Sequence, residues 1–206
     1  MSKATQTDAM GSIQRGIKRT LDFVMSALGL ILLSPIFIII SVLMKFQGNG
    51  PIFFRQIRIG YKGKPFVILK FRTISKKTEK NTPQLIAKTS CKSSTPFEKF
   101  LREHHLDELP QLWNVLVGDM SLVGPRPERK YFIDKIMEHT DLYTVIYNMR
   151  PGLTSEATLY NGYTDTMEKM LKRLQMDISY FERRSLWLDF KIIIKTFVNN
   201  ISGNKF

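Results

Sequence analysis

Cysteine occurs once in these 206 residues, at Cys91, and histidine three times, at His104, His105 and His139. One thiol closes no intramolecular disulfide and builds no cysteine metal cluster, consistent with a reducing compartment; Cys91 itself reads as an incidental thiol in a polar stretch. The three histidines show no ligand spacing. Absent too are a Gly-rich phosphate loop, zinc-site spacing and the Gly-x-Ser-x-Gly turn of a serine nucleophile, so none of those devices carries the chemistry. No internal repeat is visible. Acid is scarce: 18 Asp and Glu stand against 31 Lys and Arg, a formal net charge of +13, and 14 Phe and 10 Met add apolar surface. Such a balance points to anionic partners: phospholipid headgroups, phosphorylated substrates or nucleic acid.

What the chain does have is one long apolar run. From Leu21 to Met44 it is interrupted once, by Ser34-Pro35, with Arg15, Lys18 and Arg19 before it and Lys45, Arg55 and Arg58 after it. At about 1.5 Å per residue the run reaches roughly 36 Å as a straight helix, enough for a hydrocarbon core about 30 Å thick. Pro35 has no N–H and its ring crowds the preceding turn, so a sharp bend is expected near Ser34, whose hydroxyl can cover a freed carbonyl. Basic flanks at both ends favour keeping both on the cytoplasmic side. Two readings follow: a kinked span, or a re-entrant helix that turns at Ser34-Pro35 and leaves by the face it entered. Asp22, costly in lipid, is expected at headgroup level near Lys18 or Arg19. No small-residue cleavage site follows, which argues against a signal peptide. Such a segment favours lipid and phosphorylated substrates over nucleic acid.

Residues 1–14 are polar and unpatterned and read as a flexible leader or cloning remnant, 15–46 as the membrane helix, and 47–206 as one domain. Two β-rich runs, Ile52 to Ile59 and Phe66 to Thr73, flank a turn and predict a hairpin. Lys76 to Ser94 is polar and basic, a candidate mobile loop. Thr95-Pro96 predicts a helix start, with Phe97, Phe100 and Leu101 running towards His105. A new helix is expected at Asp107, whose side chain caps it, with Pro110 inside the first turn, Leu112, Val115 and Leu116 as its apolar face and Gly118 as its end. Further helices are expected over Glu128 to Met137 and Asp165 to Ile178, the latter with Met167, Met170, Leu171, Leu174 and Ile178 as a core or membrane-facing stripe. Ser185 to Val198 places Leu186, Phe190, Ile193, Ile194 and Phe197 on one side, as an interfacial helix or one packed on the core.

The carboxylates are the more telling set. Asp107-Glu108 lies at an expected helix start, where free N–H groups favour phosphate, although adjacent acids are usually solvated charge. Downstream, two prolines brace Arg126 in Gly124-Pro125-Arg126-Pro127, and Arg150-Pro151-Gly152 holds a second arginine. Arginines fixed this way suit bidentate binding of a pyrophosphate; singly, each is as well explained as a surface turn. Lys70-Phe71-Arg72-Thr73 adds two cations at a strand end.

Together with Phe54-Arg55-Gln56-Ile57-Arg58-Ile59-Gly60, Leu106 to Leu116, Gly118 to Pro127, Arg150 to Thr154 and Leu188 to Ile192, these segments carry a close resemblance to the monotopic bacterial phosphoglycosyl transferases, the sugar transferases that start capsule, O-antigen and related glycan assembly. The resemblance runs from about Arg15 to Phe197. It implies an α+β, mainly helical enzyme with an N-terminal re-entrant membrane helix broken at Ser34 and Pro35, a small β-hairpin and amphipathic interfacial helices. The expected place is the cytoplasmic face of a bacterial inner membrane. The implied reaction moves a phosphosugar from a UDP-sugar to polyprenyl (undecaprenyl) phosphate and releases UMP. Carried onto this chain, Asp107 is the nucleophile that forms an aspartyl-phosphosugar intermediate, and Glu108 holds Mg²⁺. Arg126 and Arg150 grip phosphate oxygens, with Lys70, Arg72 and Arg102 in support. The implied partners are the two substrates and the phospholipid membrane; self-association stays open.

Two departures limit the transfer. After Leu153-Thr154 the family commonly reads Gly-Trp-Ala-Gln-Val, whereas this chain has Ser155-Glu156-Ala157-Thr158-Leu159, and His105 stands where a small hydroxyl residue is more usual. One rival reading keeps the substrates but has no covalent intermediate, with Asp107 as base or metal ligand. Another is a basic membrane scaffold without catalysis.

Overall fold

The computed structural model describes residues 6–47, 50–73, 95–161, 164 and 166–202. Helices dominate beside two small two-stranded sheets, so the α+β, mainly helical class holds. The chain opens with α1 (Ser12–Leu32) and α2 (Ser34–Phe46), which meet at Leu33 with a bend of 57°. Pro35 stands in the first turn of α2, where its missing N–H costs no helical bond, and the Ser34 hydroxyl donates to the Ile31 carbonyl at 2.7 Å. Bend and hydroxyl cover lie where expected. Among the described residues no single helix is long and apolar enough to cross a membrane; the bent pair together has the length and composition.

α1 is inverted relative to a helix on a water-soluble core. Its buried residues are Asp22 and Ser26, while Leu21, Phe23, Met25, Leu28, Ile31 and Leu32 face outward. Polar groups dock it. Lys18 Nζ donates to Asp189 Oδ2 at 2.6 Å and to the Val123 carbonyl at 3.0 Å. The Arg19 guanidinium donates to the Val115 and Leu116 carbonyls at 2.7 and 2.8 Å, in the last turn of a helix where carbonyls lack full intrahelical partners. Asp22 Oδ1 accepts from the Leu122 N–H at 3.0 Å. Asp22 thus does not bond the two cations it was expected to lie near: both are engaged elsewhere, and the carboxylate serves a strand N–H. The described part of the leader makes its own contacts. Arg184 donates to both Asp8 oxygens at 2.7 and 2.6 Å, the Ala9 N–H reaches the Phe181 carbonyl, and Met10 is buried. Its described part is pinned to the domain.

The expected hairpin is present as β1 (Phe53–Ile59) and β2 (Pro65–Phe71), antiparallel with Phe53 opposite Phe71 and Ile59 opposite Pro65. α2 returns onto it, burying Ile40 and Met44 against Phe71 and Leu101. Leu101 belongs to α3 (Pro96–Glu103), which opens on a capping box: Thr95 Oγ1 accepts from the Glu98 N–H at 3.2 Å and Glu98 Oε2 from the Thr95 N–H at 2.8 Å. The loop expected over Lys76 to Ser94, with Cys91, lies outside the described residues.

After α4 (Gln111–Val117) and the short β3 (Ser121–Val123) comes α5 (Lys130–Met137), followed by a 3₁₀ stretch over Asp141–Asn148. The helix expected from Glu128 starts at Lys130 because Ile59 N–H bonds the Glu128 carbonyl at 3.0 Å, tying that residue to the hairpin. β4 (Gly152–Thr154), α6 (Glu156–Asn161) and α7 (Met167–Arg183) follow. Met170, Leu174 and Ile178 of α7 meet Phe132, Ile133 and Ile136 in the main core, which settles that stripe as packing. α8 (Leu186–Ser202) buries Asp189 and Ile192 and leaves Phe190, Ile193, Ile194 and Phe197 of its apolar stripe largely exposed.

β3 and β4 pair in parallel, joining the two proline-braced arginine segments that the sequence keeps apart. The approach demands glycine. A Cβ on Gly152 would lie 2.1 Å from Gly124 N and one on Gly124 would lie 2.3 Å from Arg150 O, both backbone atoms with no room to give. Gly152→Ala is expected to cost about 3 kcal/mol or more by forcing the strands apart, read as a drop in the chemical-denaturation midpoint.

Candidate active site

Asp107 and Glu108 lie in a single 3₁₀ turn, Leu106–Glu108, between α3 and α4. His105 enters that turn at φ +53°, a left-handed conformation that histidine tolerates better than branched residues do. It reverses the chain before the acid pair. The expectation that Asp107 starts and caps a helix is corrected: its side chain makes no cap bond, Pro110 stands at the N-cap rather than within the first turn, and α4 begins at Gln111. Gly118, at φ +96°, ends α4 as expected.

Glu108 is clamped by two cations. Lys70 Nζ donates to Glu108 Oε1 at 2.5 Å, and Arg126 Nη2 donates to the same oxygen at 3.2 Å. Lys70 is aimed by Asn114, a buried polar residue inside α4: its Oδ1 accepts from Leu69 N–H at 3.0 Å and its Nδ2 donates to the Val67 carbonyl at 2.7 Å, satisfying the free edge of β2. Asp107 itself is 8% exposed. Burial pushes its carboxyl up to about 6, helped by the charge of Glu108 and opposed by Lys70 and Arg126. For Glu108 burial also raises proton affinity, but Lys70 and Arg126 outweigh it and hold the carboxyl far below the ordinary range. Neighbouring carboxylates driven in opposite directions indicate divided roles. Partial burial lowers the affinity of the His105 ring for a proton, against the pull of Glu108 and with the push of Arg126 and Lys70.

Arg126 stands between two acids. Glu108 raises its proton affinity most, burial opposes, and Glu128 adds to the rise. Glu128 is held in turn by Arg173 at 3.1 Å and Arg58 at 3.7 Å, and Arg58 also donates to the Pro127 carbonyl at 3.0 Å. Burial pulls Arg58 down to about 10 despite Glu128. A cavity of about 20 Å³ lies among Arg126, Glu128, Tyr143, Arg173 and Asp177, room for one water. Burial pushes Asp177 up to about 7 against the attraction of Arg173, with Glu128 adding to the rise. The sign follows directly: a folded pKa near 7 against 3.8 for the ordinary group stabilises the fold below about pH 4 and loses that contribution as pH rises through 7, on the order of 4 kcal/mol in all. Asp177→Asn is expected to flatten this part of the stability profile between pH 4 and about 8, measured by urea unfolding across pH.

The structure thus brings Asp107, Glu108, Lys70 and Arg126 together. Arg150 is engaged otherwise: its Nε donates to the Gly118 carbonyl at 3.0 Å and its guanidinium lies 5.1 Å from the Tyr61 ring centre. Arg72 is buried, 4.0 Å from Glu98 Oε1 at the start of α3. Arg102 occupies the last turn of α3, just ahead of the acid turn. Ser34 and Pro35 mark the α1–α2 bend. Asn114 and Glu128 were not legible as site residues. Asn114 carried one signal, an amide within the apolar run Leu112 to Leu116.

Residues 13–203 match the family described as Bacterial sugar transferase. This chain belongs to that family. It is 40% identical over 190 residues to a UDP-glucose:undecaprenyl-phosphate glucose-1-phosphate transferase of Klebsiella pneumoniae, covering 91% of this chain and 40% of the relative. A Caulobacter vibrioides protein of the same name is 41% identical over 182 residues, 87% of this chain and 67% of its own. A UDP-N-acetylgalactosamine-undecaprenyl-phosphate N-acetylgalactosaminephosphotransferase of Aeromonas hydrophila is 35% identical over 187 residues, 91% of this chain and 44% of its own. The chain therefore spans less than half of the Klebsiella and Aeromonas relatives, and the sugar named differs among proteins similarly close to it.

Proposed function

We propose that this sugar transferase moves a phosphosugar from a UDP-sugar to undecaprenyl phosphate in two steps through Asp107. The observation that carries the reading is the acid pair itself: a buried Asp107 with a raised carboxyl beside Glu108, whose charge Lys70 and Arg126 fix. In the first step an Asp107 carboxylate oxygen attacks the sugar-bearing phosphorus, the bond to the bridging oxygen breaks, and UMP leaves. In the second, a phosphate oxygen of the lipid attacks the same phosphorus and Asp107 departs as carboxylate. One site thus serves a soluble and a lipid substrate in turn. With a carboxyl near 6, Asp107 is largely ionised at neutral pH yet poorly solvated, which suits a nucleophile.

Arg126, paired with Glu108 and in the electrostatic field of Glu128, presents charge where phosphate oxygens gather. Among the described residues no group of three or more acids, histidines or cysteines is placed to hold a metal. Mg²⁺ does not require one: it takes one or two carboxylates and completes its shell with water and substrate phosphates, so Glu108 with Asp107 beside it fits. Bound there, the ion would neutralise charge on the diphosphate.

Membrane attachment is part of the same proposal. The outward apolar face of α1, the exposed apolar stripe of α8 and the basic balance support it. A re-entrant path is favoured because both ends of the bent pair return to one domain: before α1, Asp8 bonds Arg184 and Ala9 bonds Phe181 at the end of α7, and Ile40 and Met44 of α2 lie against Phe71 and Leu101. A straight crossing would separate them. The deciding assay is UMP release from a panel of UDP-sugars with undecaprenyl phosphate and Mg²⁺. At least one sugar should support release that depends on the lipid, and silence across the panel would remove the enzymatic reading.

A further inference from the structure

A second cleft, of about 310 Å³, opens between α6 and α8 and shares no residue with the acid turn. That volume is within the lower range of small-molecule sites. Leu159, Leu188, Ile192 and Ile194 make its walls, and its polar lining consists of Glu156, Tyr160, Lys191 and Lys195. Glu156 is already spoken for by Arg183 at 2.6 Å, which leaves the two lysines as the uncompensated charge at the rim. Both ammonium groups sit over aromatic rings, Lys191 5.3 Å from the Trp187 centre and Lys195 4.8 Å from that of Tyr160, to whose hydroxyl it also donates. The rings hold the cations beside the cleft instead of letting them swing into solvent. Phe190 and Ile194 are exposed at its lining, and the exposed Phe197 continues the apolar surface along α8.

Apolar walls, two cations at one rim and an exposed apolar surface alongside match a molecule with a hydrocarbon tail and a phosphate. We propose that this cleft holds one anionic phospholipid, its acyl chain along the leucines and its phosphate at Lys191 and Lys195. The lipid is a phospholipid and not the acceptor, because an acceptor phosphate has to reach Asp107 and none of Lys70, Glu108 or Arg126 borders the cleft. The site rests on the membrane-surface reading given above and adds a headgroup preference to it.

The test reconstitutes the full chain into nanodiscs of phosphatidylcholine containing phosphatidylglycerol, extracts it in mild detergent and counts retained lipid by native mass spectrometry. Wild type should keep one phosphatidylglycerol. The double variant Lys191→Gln/Lys195→Gln should keep roughly tenfold less, Lys191→Arg/Lys195→Arg should restore retention, and UMP release in detergent should be unchanged in both. Equal retention by the glutamine variant, or displacement of the retained lipid by undecaprenyl phosphate, overturns the site. So does wild type that enters discs yet keeps no phosphatidylglycerol, an outcome that leaves membrane attachment standing. A chain that enters no disc removes both.

Discussion

Asp107→Asn is expected to lower lipid-dependent UMP release by about a thousandfold or more, because the amide matches the carboxylate in size but has no charge to offer phosphorus. The same substitution should remove a covalent adduct. Wild type given UDP-sugar labelled at the sugar-bearing phosphate, without lipid acceptor, should retain label on the protein after an acid quench, and the variant should retain none. If Asp107 were only a base or metal ligand, wild type would transfer normally and carry no label, so an unlabelled but active wild type defeats the two-step reading. Stability supplies an independent check. The folded carboxyl is raised to about 6 from 3.8, so its contribution is present below about pH 4 and lost as pH climbs through 6; above that, burying the anion costs on the order of 3 kcal/mol. Asparagine carries no such cost. In metal-free protein near pH 7.5 the dead variant should therefore unfold at a higher temperature than wild type, the mark of a site whose chemistry is maintained against stability.

Much of this site could be read in the chain because its parts are local. Ser34-Pro35 produces its bend through proline's own covalent geometry, Thr95-Pro96 starts α3 through a cap three residues long, and Gly118 closes α4 through a φ that few other residues adopt. What escaped reading depends on partners distant in sequence. Asp22 looks expensive in an apolar run, and only the packing of α1 on β3 shows that it serves the Leu122 N–H. Asn114 looks like a lapse in an amphipathic face until β2 supplies two of its bonds. Glu128 reads as the first turn of a helix, yet Ile59, Arg58 and Arg173 draw it to the hairpin side. Arg126 and Arg150 carry the same proline signature and take different partners, because strand pairing sends one towards Glu108 and the other towards Gly118 and Tyr61. Local chemistry thus names the cations, while topology decides which of them face the acids.

Glu108→Gln should act in the opposite sense on stability while also crippling transfer. Wild-type Glu108 is the shared anion of Lys70 and Arg126; an amide in its place leaves two partly buried cations facing each other, at a cost of about 2 to 4 kcal/mol. Transfer should fall by roughly a hundredfold to a thousandfold, since the charge that holds Arg126 and attracts Mg²⁺ is lost. The Mg²⁺ concentration needed for half-maximal rate should rise in the same experiment. The charge of Glu108 is also one of the causes that raise Asp107, so the apparent pKa of Asp107 should move back towards the ordinary carboxylate range, detectable as an acid shift in the pH profile of adduct formation. Neutralising one acid of the pair is thus expected to raise the unfolding temperature and neutralising its neighbour to lower it. Adjacent solvated acids on a surface turn would respond alike and weakly, and equal small shifts for Asp107→Asn and Glu108→Gln would dissolve the division of labour between them.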